Sequence, residues 1–154
     1  MGHVEAIFIA PGEGAPMTEV AEVRAVAGRG LEGDRYWAGE GKFSRKPGHR
    51  DLTLIEAEAV EALAHESDMQ LMPGETRRNI VTRGIALNHL VGKEFTVGEV
   101  RMRGVKLCEP CNYLEELTGR DGIRAALVHR GGLRVDLIGD GVIRKGDPID
   151  SIAG

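Results

Sequence analysis

The sequence predicts a single, mostly β domain, a barrel or a sandwich with a few short helices. Its 22 glycines punctuate short apolar runs instead of gathering in a linker, which is the pattern of strands joined by tight turns. Its 154 residues supply one real core and leave no room for a second catalytic domain, so residues 1–154 are read as one unit. No internal repeat or low-complexity segment interrupts it.

Strands are expected at 4–10, 21–26, 79–83, 94–97, 99–107, 133–138 and 141–145, each an apolar run bounded by glycine or polar turn residues. One helix is signalled at 53–65. Thr53 and Glu56 have the spacing of a capping box, and Leu54, Ile55, Ala59, Val60 and Leu63 fall on one helical face. A second amphipathic helix is expected at 122–129. Both are read as structural.

Two connections are longer or more charged than a simple turn requires. Segment 28–48 holds six glycines, five basic residues and the single tryptophan, and its aromatics Tyr36, Trp37 and Phe43 argue for an ordered lid that closes over the pocket and brings Asp34 and Arg35 to the ligand bound there. Segment 72–78 is a Pro-Gly turn that delivers Arg77 and Arg78 into the strand beginning at Asn79. Adjacent strand residues point to opposite faces, so only one of these arginines reaches a given pocket.

Chemistry concentrates at 105–117, VKLCEPCNYLEEL, which holds the only two cysteines, Cys108 and Cys111. A thiolate wants positive charge and a helix N-terminus nearby. Arg101, Arg103 and Lys106 precede the pair, and Pro110 suits the first turn of a helix that would place Cys111 at its start. Three other readings compete. The cysteines can be small buried hydrophobes. They can be a thioredoxin-type redox pair, although no strand-helix-strand unit is read leading into them. They can be half a zinc site, although the five histidines show no paired spacing.

Composition excludes some partners. Aromatics are only 4% and the net charge is −4, which disfavours base-stacking platforms and phosphate-backbone binding, so no nucleic-acid partner is expected. The apolar run IFIA near the start is too short for a signal peptide or a membrane span, so a cytoplasmic location and no membrane association are expected. Free or functional cysteines suit that reducing compartment.

Taken in order, GLEGDRYWAGEGKFS, TLIEAEAVEAL, RRNIVTRGIALNHLVGKEFTVGEV, LCEPCNYLEELTG and LVHRGGLRVDLIGDGVIRKGDPI resemble the MOSC domain, named for the C-terminal domain of molybdenum cofactor sulfurases. The resemblance spans nearly the whole chain. It implies a closed, barrel-like β fold with short flanking helices that binds the molybdenum cofactor or handles the sulfur it carries. It maps the functional cysteine and molybdenum ligand onto Cys111, with Cys108 the more variable partner. It maps pterin and phosphate contacts onto Arg77, Arg78 and Asn79, with Lys106 alongside. Softness matching agrees, since molybdenum held by dithiolene sulfurs accepts a thiolate. Arginine suits the terminal phosphate.

Cofactor sulfurases carry a pyridoxal-phosphate desulfurase domain ahead of this one, so a standalone member would depend on a separate desulfurase or electron-donor protein. Three functions follow. The first is a molybdenum-dependent reductase of N-hydroxylated substrates. The second is a carrier holding a persulfide on Cys111. The third is a noncatalytic binding module.

Overall fold

The computed structural model describes residues 2–12, 15–34, 52–66, 78–107 and 132–151. Within them lie eleven strands, one α-helix and one 3-10 turn. In chain order they are β1 (Gly2–Ile9), β2 (Thr18–Val20), β3 (Glu22–Val26), β4 (Gly30–Leu31), β5 (Leu52–Glu56), α1 (Ala57–Glu66), β6 (Ile80–Arg83), the turn Leu87–Leu90, β7 (Glu94–Val97), β8 (Val100–Leu107), β9 (Leu133–Leu137), β10 (Gly141–Arg144) and β11 (Pro148–Ser151).

Seven strands close into a barrel in the order β11-β7-β8-β9-β5-β6-β1, and β1 returns to β11 through Gly2 opposite Ile149. β1 is long enough to use one edge twice, meeting β11 at its start and β2 at its end. A bulge between Val4 and Ala6 resets its alternation, so that Val4 and Ile7 both join the interior core. The interior is apolar: Leu52, Leu54, Ile80, Phe95, Met102, Leu133 and Val135 are wholly buried there. Each such side chain contributes about 2 kcal/mol of burial.

The same core extends to elements beyond the barrel wall. Leu87 and Leu90 of the 3-10 turn belong to it, as do Val23, Ala25, Leu31 and Ile143 of a small sheet ordered β10-β3-β4. A second apolar cluster lies on the outside, where Ala57 and Val60 of α1 cover Ala6, Phe8, Ile55 and Val81.

The expected mostly β, closed barrel is the architecture observed, and seven expected strands match within about two residues, a routine margin for element ends. Several expectations are corrected. Residues 52–56 form a strand, and the helix begins only at Ala57. LTLI is buried on both faces, inside against the core and outside under α1 and the β6 boundary, so its apolar run reads as strand by tertiary contact. Thr53 therefore caps nothing. β5 and β6 pair in parallel with α1 between them, a strand-helix-strand unit the sequence reading lacked, although β7 and β8 separate it from the cysteines. Gly30–Leu31 within the expected lid pairs with β3 as a strand. β2 and β11 were also unforeseen: β11 opens on Pro148 in a run that reads as a turn, a position where strands tolerate proline.

No described helix is long and apolar enough to cross a membrane.

Candidate functional site

Strand register assembles a polar row on the outer face of the barrel. Lys106 on β8 pairs with Arg134 on β9, Arg134 pairs with Thr53 on β5, and Thr53 lies beside Asn79 at the start of β6. The flanking residues Leu133, Val135, Leu52 and Leu54 all face the interior, which puts Arg134 and Thr53 on the opposite side. Four strands about 4.8 Å apart make the row roughly 14 Å long. Lys106 is exposed, whereas Arg134, Thr53 and Asn79 are 7%, 3% and 0% exposed. A buried polar row on the outside of a barrel is unusual, because outer faces are ordinarily solvated or covered by apolar contacts.

Asn79 is the most constrained member. Its Oδ1 accepts the Thr53 N–H at 3.1 Å and the Thr53 hydroxyl at 3.3 Å, and its Nδ2 donates to the Phe8 carbonyl at 3.1 Å. The Asn79 N–H in turn reaches Thr53 Oγ1 at 3.1 Å. The carboxamide thus ties β1, β5 and β6 together. Asn79, expected as a ligand contact, fixes the backbone from which Arg78 emerges. Arg78 is half-buried and Arg77 lies outside the described residues.

Asp34 has a comparable role. Its Oδ1 accepts the Ala10 N–H at 3.0 Å, just past the end of β1, and its side chain is 1% exposed. It anchors the β3-β4 hairpin to the barrel, and Arg35 lies outside the described residues, as do Tyr36 and Trp37. Asp34 and Asn79 are thereby brought together at the C-terminal end of β1, while Lys106 stands at the far end of the row.

The expected basic cluster ahead of the cysteines is redistributed. Arg101 and Arg103 alternate with buried Met102, and both turn to Glu94 on β7, at 2.6 and 3.4 Å. Of these three cations, Lys106 stands nearest in sequence to the cysteine segment. Cys108, Cys111 and the expected helix 122–129 lie outside the described residues, but their anchorage does not: Leu107 and Leu133 are paired neighbours, so segment 108–131 leaves and rejoins the barrel at one place. Gly132 secures that junction. It has φ +106°, and a Cβ there would overlap the Leu54 carbonyl oxygen, so only glycine lets β9 start so close to β5.

Arg134 is the member of the row that sequence reasoning missed. The alternation in LRVDL signals that it faces away from the core. That this outward face is buried depends on elements remote in sequence.

Elsewhere, Glu56 sits half-buried where β5 passes into α1. Burial pushes its carboxyl above the ordinary carboxylate value, opposed by the Leu87 N–H, reinforced by Glu58 and eased by His89. Arg83 joins Glu5 at 2.6 Å and Glu61 at 2.9 Å, linking β1, β6 and α1, and these carboxylates hold its guanidinium further above its already high value. Among the described residues no three His, Cys, Asp or Glu side chains converge as a metal site.

A family model described as the MOSC domain matches residues 29–150. The fold is similar to that of the YUAD protein from Bacillus subtilis, with TM-score 0.79 at 15% identity over 98% of this chain and 96% of that one. It is similar to YiiM from Geobacillus stearothermophilus, with TM-score 0.77 at 13% identity over 99% and 76% of the two chains. YiiM from Escherichia coli gives TM-score 0.70 at 18% identity over 100% and 71%. Identities this low establish likeness of fold alone. No curated protein matches the sequence.

Proposed function

The chain belongs to the MOSC domain family, and from that membership we propose that it binds the molybdenum cofactor and supports reduction of N-hydroxylated substrates. Cys111 is the thiolate ligand to molybdenum in this reading, and Lys106 with one of Arg77 and Arg78 contacts the anionic end of the pterin. The observation that carries it is the common root of the cysteine segment and the polar row: Lys106, the row's exposed cation, stands two residues before Cys108 on a strand whose end pairs with the segment's return.

The donor set fits the group in its charge. A fixed ammonium attracts a phosphate and favours a nearby thiolate over a thiol. The Thr53–Asn79 clamp holds the backbone preceding β6, so the arginine beside it approaches from a rigid base. The bound cofactor would supply two-electron chemistry at its metal. The protein would supply the thiolate, the anion contacts and a surface for an electron-donor protein.

Molybdenum and pterin analysis of protein purified from a host that makes the cofactor tests this reading. About one molybdenum per chain is expected, with loss in Cys111→Ala. Sulfane sulfur on Cys111 without molybdenum would replace the enzyme with a persulfide carrier supplied by a desulfurase. Absence of both, with no consequence of Cys111→Ser, would leave a noncatalytic binding module.

A further inference from the structure

We propose that Gly104 is a positioning residue for the cysteine site: by carrying no side chain it holds a one-residue bulge in β8 that sets the phase in which the chain enters segment 108–131. The role of Cys111 that this serves rests on the reading above, whereas the bulge is read from register. Met102, Arg103 and Gly104 face Leu137, Asp136 and Val135 in step, but Lys106 faces Arg134 and Leu107 faces Leu133. Val105 is therefore the extra residue. Without it the ladder would set Val105 against Arg134 and Lys106 against Leu133, turning the lysine into the barrel and Leu107 out of it. The bulge instead keeps Lys106 outside and brings Leu107 opposite Leu133, where the segment returns. Bulges beside functional sites commonly re-aim side chains in this way.

Gly104 is where the bulge is held. Its N–H donates to the Lys93 carbonyl at 3.0 Å and its carbonyl accepts the Gly92 N–H at 2.9 Å, so the chain leaving the 3-10 turn is bonded to both polar groups of this one residue. By alternation from buried Met102 it faces the interior. A Cβ there would overlap the Leu90 carbonyl oxygen and stand 3.3 Å from Leu133 Cδ2. Its φ is not positive, unlike that of Gly132, so the position requires glycine for space and not for backbone conformation. Gly132 meets the Leu54 carbonyl oxygen in the same manner. Each of the two strands that bound segment 108–131 thus has a backbone carbonyl seated against a glycine, which holds the two strand ends at one fixed offset.

The test is the rate at which iodoacetamide alkylates Cys111 as a function of pH, in the full chain carrying Cys108→Ser and purified from a host that makes no molybdenum cofactor. The thiolate is the reacting form, so the pH midpoint reports the surroundings in which the sulfur is placed. Gly104→Ala should raise the midpoint by about one pH unit and slow the reaction up to about tenfold at neutral pH. Gly92 and Gly146 supply a matched pair. Both are exposed, at φ +77° and +93°, with nothing within 4 Å of an added Cβ, but only Gly92 is bonded to Gly104. Their alanine variants should lose similar melting temperature, while only Gly92→Ala moves the midpoint upward. A glycine that served stability alone would lower the melting temperature and leave the midpoint in place. A parental midpoint in Gly104→Ala would overturn the assignment, and where that variant fails to fold, a parental midpoint in Gly92→Ala would do so. An equal shift in Gly146→Ala, or a Cys111 that does not react in the native parent, would overturn it as well. Metal content separates this from the function above. Shifted midpoints in a chain that takes up no molybdenum from a host that makes the cofactor would retain the role of Gly104 and remove the cofactor reading, whereas parental midpoints in a chain that binds molybdenum would do the reverse.

Discussion

Thr53 and Asn79 each satisfy the other's backbone: Asn79 Oδ1 takes the Thr53 N–H and Thr53 Oγ1 takes the Asn79 N–H, both at 3.1 Å. The exchange pins the parallel strands β5 and β6 where the polar row crosses them. Replacing Asn79 by alanine leaves the Thr53 N–H and the Phe8 carbonyl buried without this partner, a loss on the order of 3 kcal/mol. Thr53→Val keeps the shape and removes only the hydroxyl, for about 1–2 kcal/mol. Urea unfolding should rank the two variants in that order. Parental stability in Asn79→Ala would show the clamp to be idle.

Glycine contacts supply a second expectation. Gly132→Ala meets both the Leu54 carbonyl oxygen and a φ of +106°, whereas Gly28→Ala meets open space at a φ of +80°. The first should cost several kcal/mol or prevent folding, and the second about 1 kcal/mol from backbone conformation alone. Comparable melting points for the two would mean that β9 can move away from β5 at little expense.

Glu56 makes stability depend on pH in a direction opposite to that of an ion-paired carboxylate. Its folded pKa lies above the ordinary 4.5, so the native state binds the proton more tightly than the unfolded chain. The resulting stabilisation is complete below the unfolded value and is lost as pH rises through the folded one. Glu56→Gln imitates the protonated form and still accepts the Leu87 N–H. It should melt higher than the parent at neutral pH and together with it below about pH 4. A constant difference across that range would assign the effect to packing.

The two cysteines should be unequal. With Cys111 as the metal ligand, Cys111→Ala should abolish molybdenum retention while Cys108→Ala keeps a measurable fraction, read by metal content per folded chain. Equal loss in both would indicate a dithiol mechanism. The arginine pair should divide in the same way, with Arg77→Lys or Arg78→Lys, and not both, weakening pterin retention.

The sequence by itself determined the strands that alternate and the motifs that carry the family. β7, β8 and β9 are legible because apolar and polar residues exchange at period two, and that alternation also turns Arg101, Arg103 and Arg134 outward. Where a segment is buried on both faces the period vanishes, and LTLI then reads as well for a helix as for a strand. Only the tertiary structure decided that Thr53 bonds to Asn79, 26 residues away, and caps no helix. It alone decided that Arg101 and Arg103 turn to Glu94 while Lys106 and Arg134 share one row with the clamp. The physical reason is common to these cases. A side chain's direction follows from local backbone geometry, but its partner and its burial are set by which strands the barrel closes beside it, and that closure joins residues the chain order keeps apart.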